Sequence, residues 1–286
     1  MTFHDLIQEG IQKLSTKHPD TAQFEIYHLI CHIFKLTKAQ LLTQLSDNIS
    51  SIEEEKFLHQ AIEDRLNNKP LDLIIGHSDF LGQLYHVEEG VLLPRPETEL
   101  LVQQTINQAK QYFSDHPFTC LELGFGSGVI SIECAKALPN ATCYAWDISE
   151  KAYNLAQKNA GFQGIDSINW FNDDFFTSNW KDFIDKNRPF LFISNPPYIP
   201  TKNIDNLDIS VTKYDPVKAL DGGDDGLDYY REIIKNLCDY QCMIFLEIGY
   251  DQSEQLTNIL HEKKITNITI YPDNNNINRL LFIKNI

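Results

Sequence analysis

The sequence predicts an α/β protein: a mostly parallel sheet with helices on both faces, preceded by a small helical bundle. Three observations lead there. From about residue 118 onward, short apolar runs alternate with amphipathic stretches, the pattern of a sheet wound with crossover helices. The last two apolar runs, ITNITIY and RLLFIKN, follow each other with no helix between them, so the sheet ends in an antiparallel pair. Before about residue 70 the apolar spacing is helical, and no strand–helix alternation is visible.

Each element has a local cause. In HDLIQEGIQKL, Leu6, Ile7, Ile11 and Leu14 share one helical face. FEIYHLICHIF is a second, more apolar helix and KAQLLTQL a short third. Ser51 and Glu54 form a capping box for SIEEEKFLHQAIEDRL. NNKP breaks the helical pattern, and DFLGQLYHVEEGVLLP reads as two short strands with turns at Gly82 and at Glu89-Gly90. PRPETELLVQQTINQAKQYF starts at a rigid Pro-Arg-Pro corner and continues as a helix. TCLEL is then a strand, GVISIECAKAL a helix ended by Pro139, and TCYAW a strand. Ser149 caps EKAYNLAQKNA, which Gly161 stops. INWF and FLFIS are strands, GLDYYREIIKNL a helix, MIFLEI a strand and SEQLTNILHEK a helix. The predicted division is 1–70 helical, 71–95 a β-hairpin linker, and 96–286 the α/β domain.

Composition narrows the class. The chain has 286 residues, 42% of them hydrophobic and 11% aromatic, enough for a large core. No stretch approaches the ~20 apolar residues that span a bilayer, and the first residues lack the apolar core of a signal peptide. The expectation is a soluble protein of the cytoplasm with no membrane partner. The six cysteines contain no CxxC pair and sit mostly in apolar runs, so they read as buried free thiols rather than as metal ligands. A formal net charge of −16 argues against a broad footprint on duplex DNA and fits a small or a basic protein partner.

Two stretches carry chemistry. LELGFGSGVISI is strand, glycine turn, helix, with glycines at 124, 126 and 128. Glycine admits positive φ and lets a ligand approach without a Cβ in the way. The helix behind the turn offers unpaired N–H groups. A dinucleotide fingerprint would place its third glycine one residue later, so the loop fits S-adenosylmethionine better than a pyrophosphate. A tight turn without a ligand is the plainer alternative. Asp147 ends the next strand at about the spacing where an acid meets ribose hydroxyls in doubly wound folds. It also reads as an acid at a helix start. In NDDFF, Asp174 and Phe175 read either as an adenine contact or as a surface acid beside core aromatics. The second stretch is SNPPYIP, residues 194–200, directly after the apolar run FLFIS. Its two adjacent prolines give no backbone donor. With an amide before them and an aromatic ring after, the segment is a tight turn or a pocket for a flat polar group.

Together these motifs resemble the PrmC/HemK family of protein-(glutamine-N5) methyltransferases that modify peptide chain release factors. The resemblance spans nearly the whole chain: PLDLIIGHSDFLG, VLLPRPETEL, LELGFGSG, AWDIS, SNPPYIP, YDPVKALDGGDDGLDYYR and LEIGYDQ. It implies a class I S-adenosylmethionine-dependent methyltransferase domain, Rossmann-like with a mostly parallel seven-stranded sheet, behind a helical domain that engages the release factor. It implies a cofactor site at Gly124, Phe125, Gly126, Ser127, Gly128, Asp147, Phe175 and Asn195, and a substrate site at Asn195, Pro196, Pro197 and Tyr198. The implied reaction is methylation of the side-chain amide of the glutamine in the Gly-Gly-Gln motif, with consequences for translation termination. Asn195, Pro196 and Tyr198 are then the catalytic set. An amide and a backbone carbonyl hold the two N–H hydrogens of the target, a ring stacks on it, and the proton leaves after transfer without a dedicated base. The chain departs from the family pattern in three places. Phe175 stands where Trp is frequent, the segment from Phe175 to Asn195 is longer, and DNNNINRLLF lacks Gly-x-Asp-Arg, so Arg279 receives no role.

Two other functions share these motifs. An N6-adenine nucleic-acid methyltransferase would use the same Asn-Pro-Pro-Tyr corner, but it would need a basic surface for phosphates, and no Lys/Arg-rich recognition segment is present. A non-catalytic release-factor adaptor would not need Gly124, Asp147 and Asn195 together. Arg95 and Glu97 read as shaping the pocket or as an exposed ion pair. DGGDDG, residues 221–226, lacks the ligand order of a calcium loop and reads as a turn.

Overall fold

The computed structural model describes residues 1–49 and 51–286, which form two compact units, Met1–His77 and Ser78–Ile286. In the first unit α1 (Phe3–Leu14), α2 (Ala22–Ile33), α3 (Lys38–Thr43), α4 (Ile52–Leu66) and α5 (Leu71–Ile75) enclose one apolar core. Leu6, Ile7 and Leu14 are buried in it and Ile11 packs at its margin, the face the spacing predicts. Full capping boxes start α1 (Thr2 with Asp5) and α3 (Thr37 with Gln40). Ser51 makes only half of its expected box: its Oγ accepts the Glu54 N–H at 3.4 Å, and the return bond is not formed. Glu54 is one of three successive acids there, all of which sit at the positive end of the helix. Leu71–Ile75, inside the segment expected to belong to the hairpin, is a single helical turn stopped by Gly76 at φ +81°.

β1 (His77–Phe80) and β2 (Gln83–His86) make the hairpin around Leu81 and Gly82, both at positive φ, the primed turn that matches strand twist. VLLP, at the end of the same stretch, belongs to no strand. The rest of the second unit alternates: α6 (Pro96–Phe113), β3 (Phe118–Leu123), α7 (Val129–Ala137), β4 (Ala141–Trp146), α8 (Glu150–Phe162), β5 (Ile168–Phe171), β6 (Phe190–Ser194), α9 (Ile209–Tyr214), α10 (Asp228–Leu237), β7 (Cys242–Glu247), α11 (Ser253–Glu262), β8 (Ile268–Pro272) and β9 (Asn278–Asn285). The seven strands from β3 onward form one sheet in the order β5-β4-β3-β6-β7-β9-β8. All neighbours are parallel except β9, which runs antiparallel to both β7 and β8.

The central strands β3, β6 and β7 are buried on both faces because helices cover both, so their residues need not alternate with polar ones. Leu191, Ile193, Met243 and Phe245 pack with α6, α7 and α8. Phe190, Phe192, Ile244 and Leu246 pack on the other side with α10 and α11. Register brings the strand ends level. Leu123 pairs with both Trp146 and Ser194, and Ser194 pairs with Leu246. The residues one step beyond them, Gly124, Asp147, Asn195 and Glu247, therefore stand along a single line at the carboxyl edge. The chain order reverses between β3 and β6 at that edge, where open α/β sheets bind ligands.

Candidate active site

A cavity of about 620 Å³ opens at this edge, within the range usual for small-ligand pockets. The glycine turn divides its labour. Gly124 (φ +75°) and Gly126 (φ +53°) face the cavity, and a Cβ on either would have no neighbour within 4 Å of protein. Gly128 (φ +84°) starts α7 and packs inward, where a Cβ would come within 2.9 Å of Ala156 Cβ. Phe125 is buried edge-on to Trp170, and the carbonyl of Ser127 accepts Asn159 Nδ2 at 2.9 Å. Among the described residues of the turn, only Gly124 and Gly126 form cavity wall; Phe125, Ser127 and Gly128 hold the turn from behind.

Asp147 lies in the wall with its carboxylate already oriented. Oδ2 accepts the Gly126 N–H at 2.9 Å and Oδ1 accepts the Ser149 N–H at 2.9 Å. Burial pushes its pKa above the ordinary carboxylate value, against the pull of those two N–H bonds. Below it, Glu122 of β3 is fully buried and accepts the Ser131 hydroxyl. Burial pushes Glu122 up to about 8, and Oε1 has no hydrogen-bond partner among the described residues. Asp174 also lines the cavity, and its Oδ1 accepts the Phe176 N–H at 2.9 Å. The ring of Phe175 packs into the core, stacked on Trp180 at 5.1 Å and edge-on to Trp146 at 5.3 Å. Trp180 comes from the extra length between Phe175 and Asn195, so that insertion supports the aromatic floor. Phe175 still borders the cavity, together with Phe176 and with Ile148, which is 55% exposed.

Asn195, Pro196 and Pro197 line the cavity's inner end. Asn195 Nδ2 donates to Thr98 Oγ1 at 3.2 Å, and Thr98 Oγ1 donates to Glu247 Oε2 at 2.7 Å. The Tyr198 hydroxyl reaches Glu247 Oε1 at 3.5 Å, the long limit of a hydrogen bond. Tyr230 closes the back by donating to the Glu247 carbonyl at 2.7 Å. Burial pushes Glu247 up to about 7 and the Tyr198 phenol well above its ordinary value.

The corner is stapled from outside. Gln252 Nε2 donates to Tyr198 O at 2.9 Å and to Gly226 O at 3.1 Å, while its Oε1 accepts the Gly249 N–H at 2.8 Å. The DGGDDG segment lies along the corner as a turn, joined by Ile199 N to Leu220 O, Gly222 N to Ile199 O and Thr201 N to Gly223 O, each 2.9 Å. Two of its three acids have structural partners: Asp221 takes the Thr201 hydroxyl and the Gly223 N–H, and Asp225 pairs with Arg231. Arg95 pairs with the buried Asp215. Its charge, with those of Glu97 and Arg279, bears on the Tyr198 phenol. Sequence reading missed Thr98, Glu122, Glu247 and Gln252. The polar residue ending an otherwise apolar strand, in LEL and in FLEI, was the available signal for the two glutamates, because a carboxyl buried there needs a purpose.

The sheet order, the open glycine turn and the level line of Gly124, Asp147 and Asn195 define a methyltransferase of class I architecture. The fold is shared with the N-terminal domain of human METTL16 in a complex with SAH (TM-score 0.52, 13% identity, 97% of this chain and 94% of that one). Residues 5–76 match the family model described as the PrmC N-terminal domain, and residues 97–210 match the methyltransferase small domain. The release factor glutamine methyltransferase of Thermodesulfovibrio yellowstonii is 35% identical over 284 residues, covering 98% of this chain and 97% of its own. That of Moorella thermoacetica is 31% identical over 91% of this chain and 89% of its own. The chain belongs to the release factor glutamine methyltransferase family, and it is an enzyme. Among the described residues no helix is long and apolar enough to cross a membrane.

Proposed function

We propose that the enzyme transfers a methyl group from S-adenosylmethionine to the side-chain amide nitrogen, N5, of the glutamine in the Gly-Gly-Gln motif of peptide chain release factors, and so tunes translation termination. The cavity suits this cofactor. Two glycines leave room for a close-lying chain, a preoriented carboxylate suits a vicinal diol, and Ile148 and Phe176 offer apolar faces for a base. Asp147 would hold the ribose hydroxyls. Gly124 and Gly126 would border the amino-acid tail, with Phe125, Ser127 and Gly128 acting by keeping the turn in shape. Phe175, Phe176 and Asp174, all in the cavity wall, would border the base. Bound there, S-adenosylmethionine supplies an electrophilic methyl group.

The observation that carries the substrate reading is the Asn195 amide, whose N–H side is committed to Thr98. Its carbonyl is left to accept from a substrate. The Pro196 carbonyl, which receives no hydrogen bond among the described residues, is a second acceptor beside it. Two acceptors facing one planar NH2 group would localise the nitrogen lone pair toward the methyl donor and stabilise the positive charge that grows on nitrogen. Pro197 holds the corner rigid, Tyr198 packs on the flat amide, and the proton leaves once the methylated nitrogen has become acidic. The helical unit would engage the release factor, and it carries exposed Phe24, Ile52 and Phe57. The six cysteines are free thiols, which fits a reducing cytoplasm. The test is mass spectrometry of a release factor incubated with enzyme and cofactor, with duplex DNA and RNA offered in parallel. A gain of one methyl on the Gly-Gly-Gln glutamine, lost in a folded Asn195→Ala variant, is expected. Label on nucleic acid alone, or full transfer by Asn195→Ala, would reject the reading.

A further inference from the structure

We propose that Thr98 and Glu247 are positioning residues that decide which side of the Asn195 amide meets the substrate. This rests on the glutamine reading above and extends it to residues outside the Asn-Pro-Pro-Tyr corner.

Donor and acceptor parity sets the orientation of the amide. A hydroxyl has a single proton. Thr98 spends that proton on Glu247 Oε2, an acceptor-only carboxylate oxygen 2.7 Å away. The oxygen of Thr98 can then only accept, and the group 3.2 Å from it must be the NH2 side of Asn195. The amide is thereby fixed with its carbonyl turned away from Thr98. Thr98 is buried at 3% exposure and Glu247 at 2%, so water does not compete for these bonds. If Glu247 takes up a proton on Oε2, the oxygen that faces Thr98, the parity reverses. The carboxylic acid donates to Thr98, the Thr98 proton is released to donate onward, and the oxygen side of Asn195 is the matching partner. Asn195 would then present N–H groups to a substrate that itself offers N–H groups.

Glu247 is placed to make this switch near neutrality. It is surrounded by Thr98 and Glu97 from α6, Tyr198 from the corner, Tyr230 from α10 and Arg279 from β9. Burial and the charge of Glu97 raise its pKa, while the Thr98 bond, Arg279 and the Tyr198 bond oppose them, leaving it at about 7. Of these groups only Glu247 both titrates in this range and bonds Thr98.

The experiment follows kcat against pH, cofactor affinity and the Asn195 side-chain NH2 resonances for wild type, Thr98→Val, Thr98→Ser and Glu247→Gln. In wild type, kcat should fall about tenfold per pH unit below about 7, and the Asn195 resonances should move with the same midpoint. Thr98→Val should lose roughly 10- to 100-fold in kcat with cofactor affinity unchanged, and Thr98→Ser should recover it. Glu247→Gln should remove both the acid limb and the resonance shift. Wild-type kcat in Thr98→Val, or an acid limb that survives in Glu247→Gln, overturns the proposal. If wild type methylates no release factor, the substrate reading fails. The resonance titration of the free protein then decides the network by itself: a midpoint abolished by Glu247→Gln supports it, and a midpoint unchanged by that substitution overturns it.

Discussion

Replacing Gly226 by alanine tests whether the turn behind the Asn-Pro-Pro-Tyr corner sets its geometry. Gly226 sits at φ +78°, and a Cβ there would stand 2.3 Å from the Tyr198 carbonyl oxygen and 2.8 Å from Gln252 Nε2. An ordinary contact begins near 3.4 Å, so the carbonyl must retreat by about 1 Å. Two costs follow. The left-handed backbone costs alanine about 1–2 kcal/mol, and the crowding adds about 1–3 kcal/mol. Neither would by itself abolish catalysis in a folded enzyme. The displacement would, because a shift of about 1 Å in a positioning group costs about 100-fold in rate. Gly164→Ala is the control: its φ is +70° and its Cβ meets nothing within 4 Å, so it carries the backbone cost alone. Single-turnover methyl transfer to a release factor, with cofactor affinity from calorimetry, separates the effects. Gly226→Ala should lose about 100-fold in the transfer rate relative to Gly164→Ala and keep its cofactor affinity, since Gly226 is not cavity wall. Equal rates for the two folded variants would refute the claim that this turn holds the corner in place.

Two further outcomes concern the cofactor side. The Glu122 carboxyl has a folded-state pKa of about 8, above its unfolded value near 4.5, so its contribution to stability is complete below about 4.5 and is lost as pH rises through about 8. Denaturant unfolding should show stability falling by about 4 kcal/mol over that window, and Glu122→Gln should flatten the fall; an unchanged slope would contradict the burial argument. Asp147→Asn keeps the shape but has one carbonyl where two oxygens now accept Gly126 and Ser149, so calorimetry should show S-adenosylmethionine binding weakened roughly 30- to 100-fold.

Much of this architecture is written in local pattern. The strand–helix alternation, the glycine turn and the antiparallel end each depend on residues close in sequence, and the sheet follows them. What local pattern does not carry is which distant residues meet. Thr98 and Glu247 are 149 positions apart, and they touch only because α6 packs beside β7. Gln252 joins three backbone groups from three segments. Phe175 and Phe176 both border the cavity, but adjacency in sequence does not show that Trp180, brought by the loop that follows, stacks on the first ring. At Gly128 the close approach of Ala156 leaves no room for a Cβ, a constraint from a residue 28 positions away that local pattern does not show.

The hydrogen-bond parity of the corner also bears on selectivity. Donors are scarce at the Pro-Pro corner itself, although Lys218 and Tyr229 line the same cavity. Pro196 and Pro197 have no N–H, and Asn195 gives one of its two side-chain N–H hydrogens to Thr98. The acceptors at the corner are the Asn195 and Pro196 carbonyls. A glutamine side chain brings two N–H hydrogens and satisfies both. A glutamate brings none at neutral pH and would set a carboxylate against two lone-pair faces, leaving all of them unpaired in a partly dry site. A site built to pair N–H groups rejects the analogue lacking them far more strongly than an apolar pocket rejects a wrong shape. On this reading the two prolines do more than stiffen a turn. By removing every backbone donor at the point of contact, they make the amide nitrogen, and not its acid counterpart, the group the corner can hold.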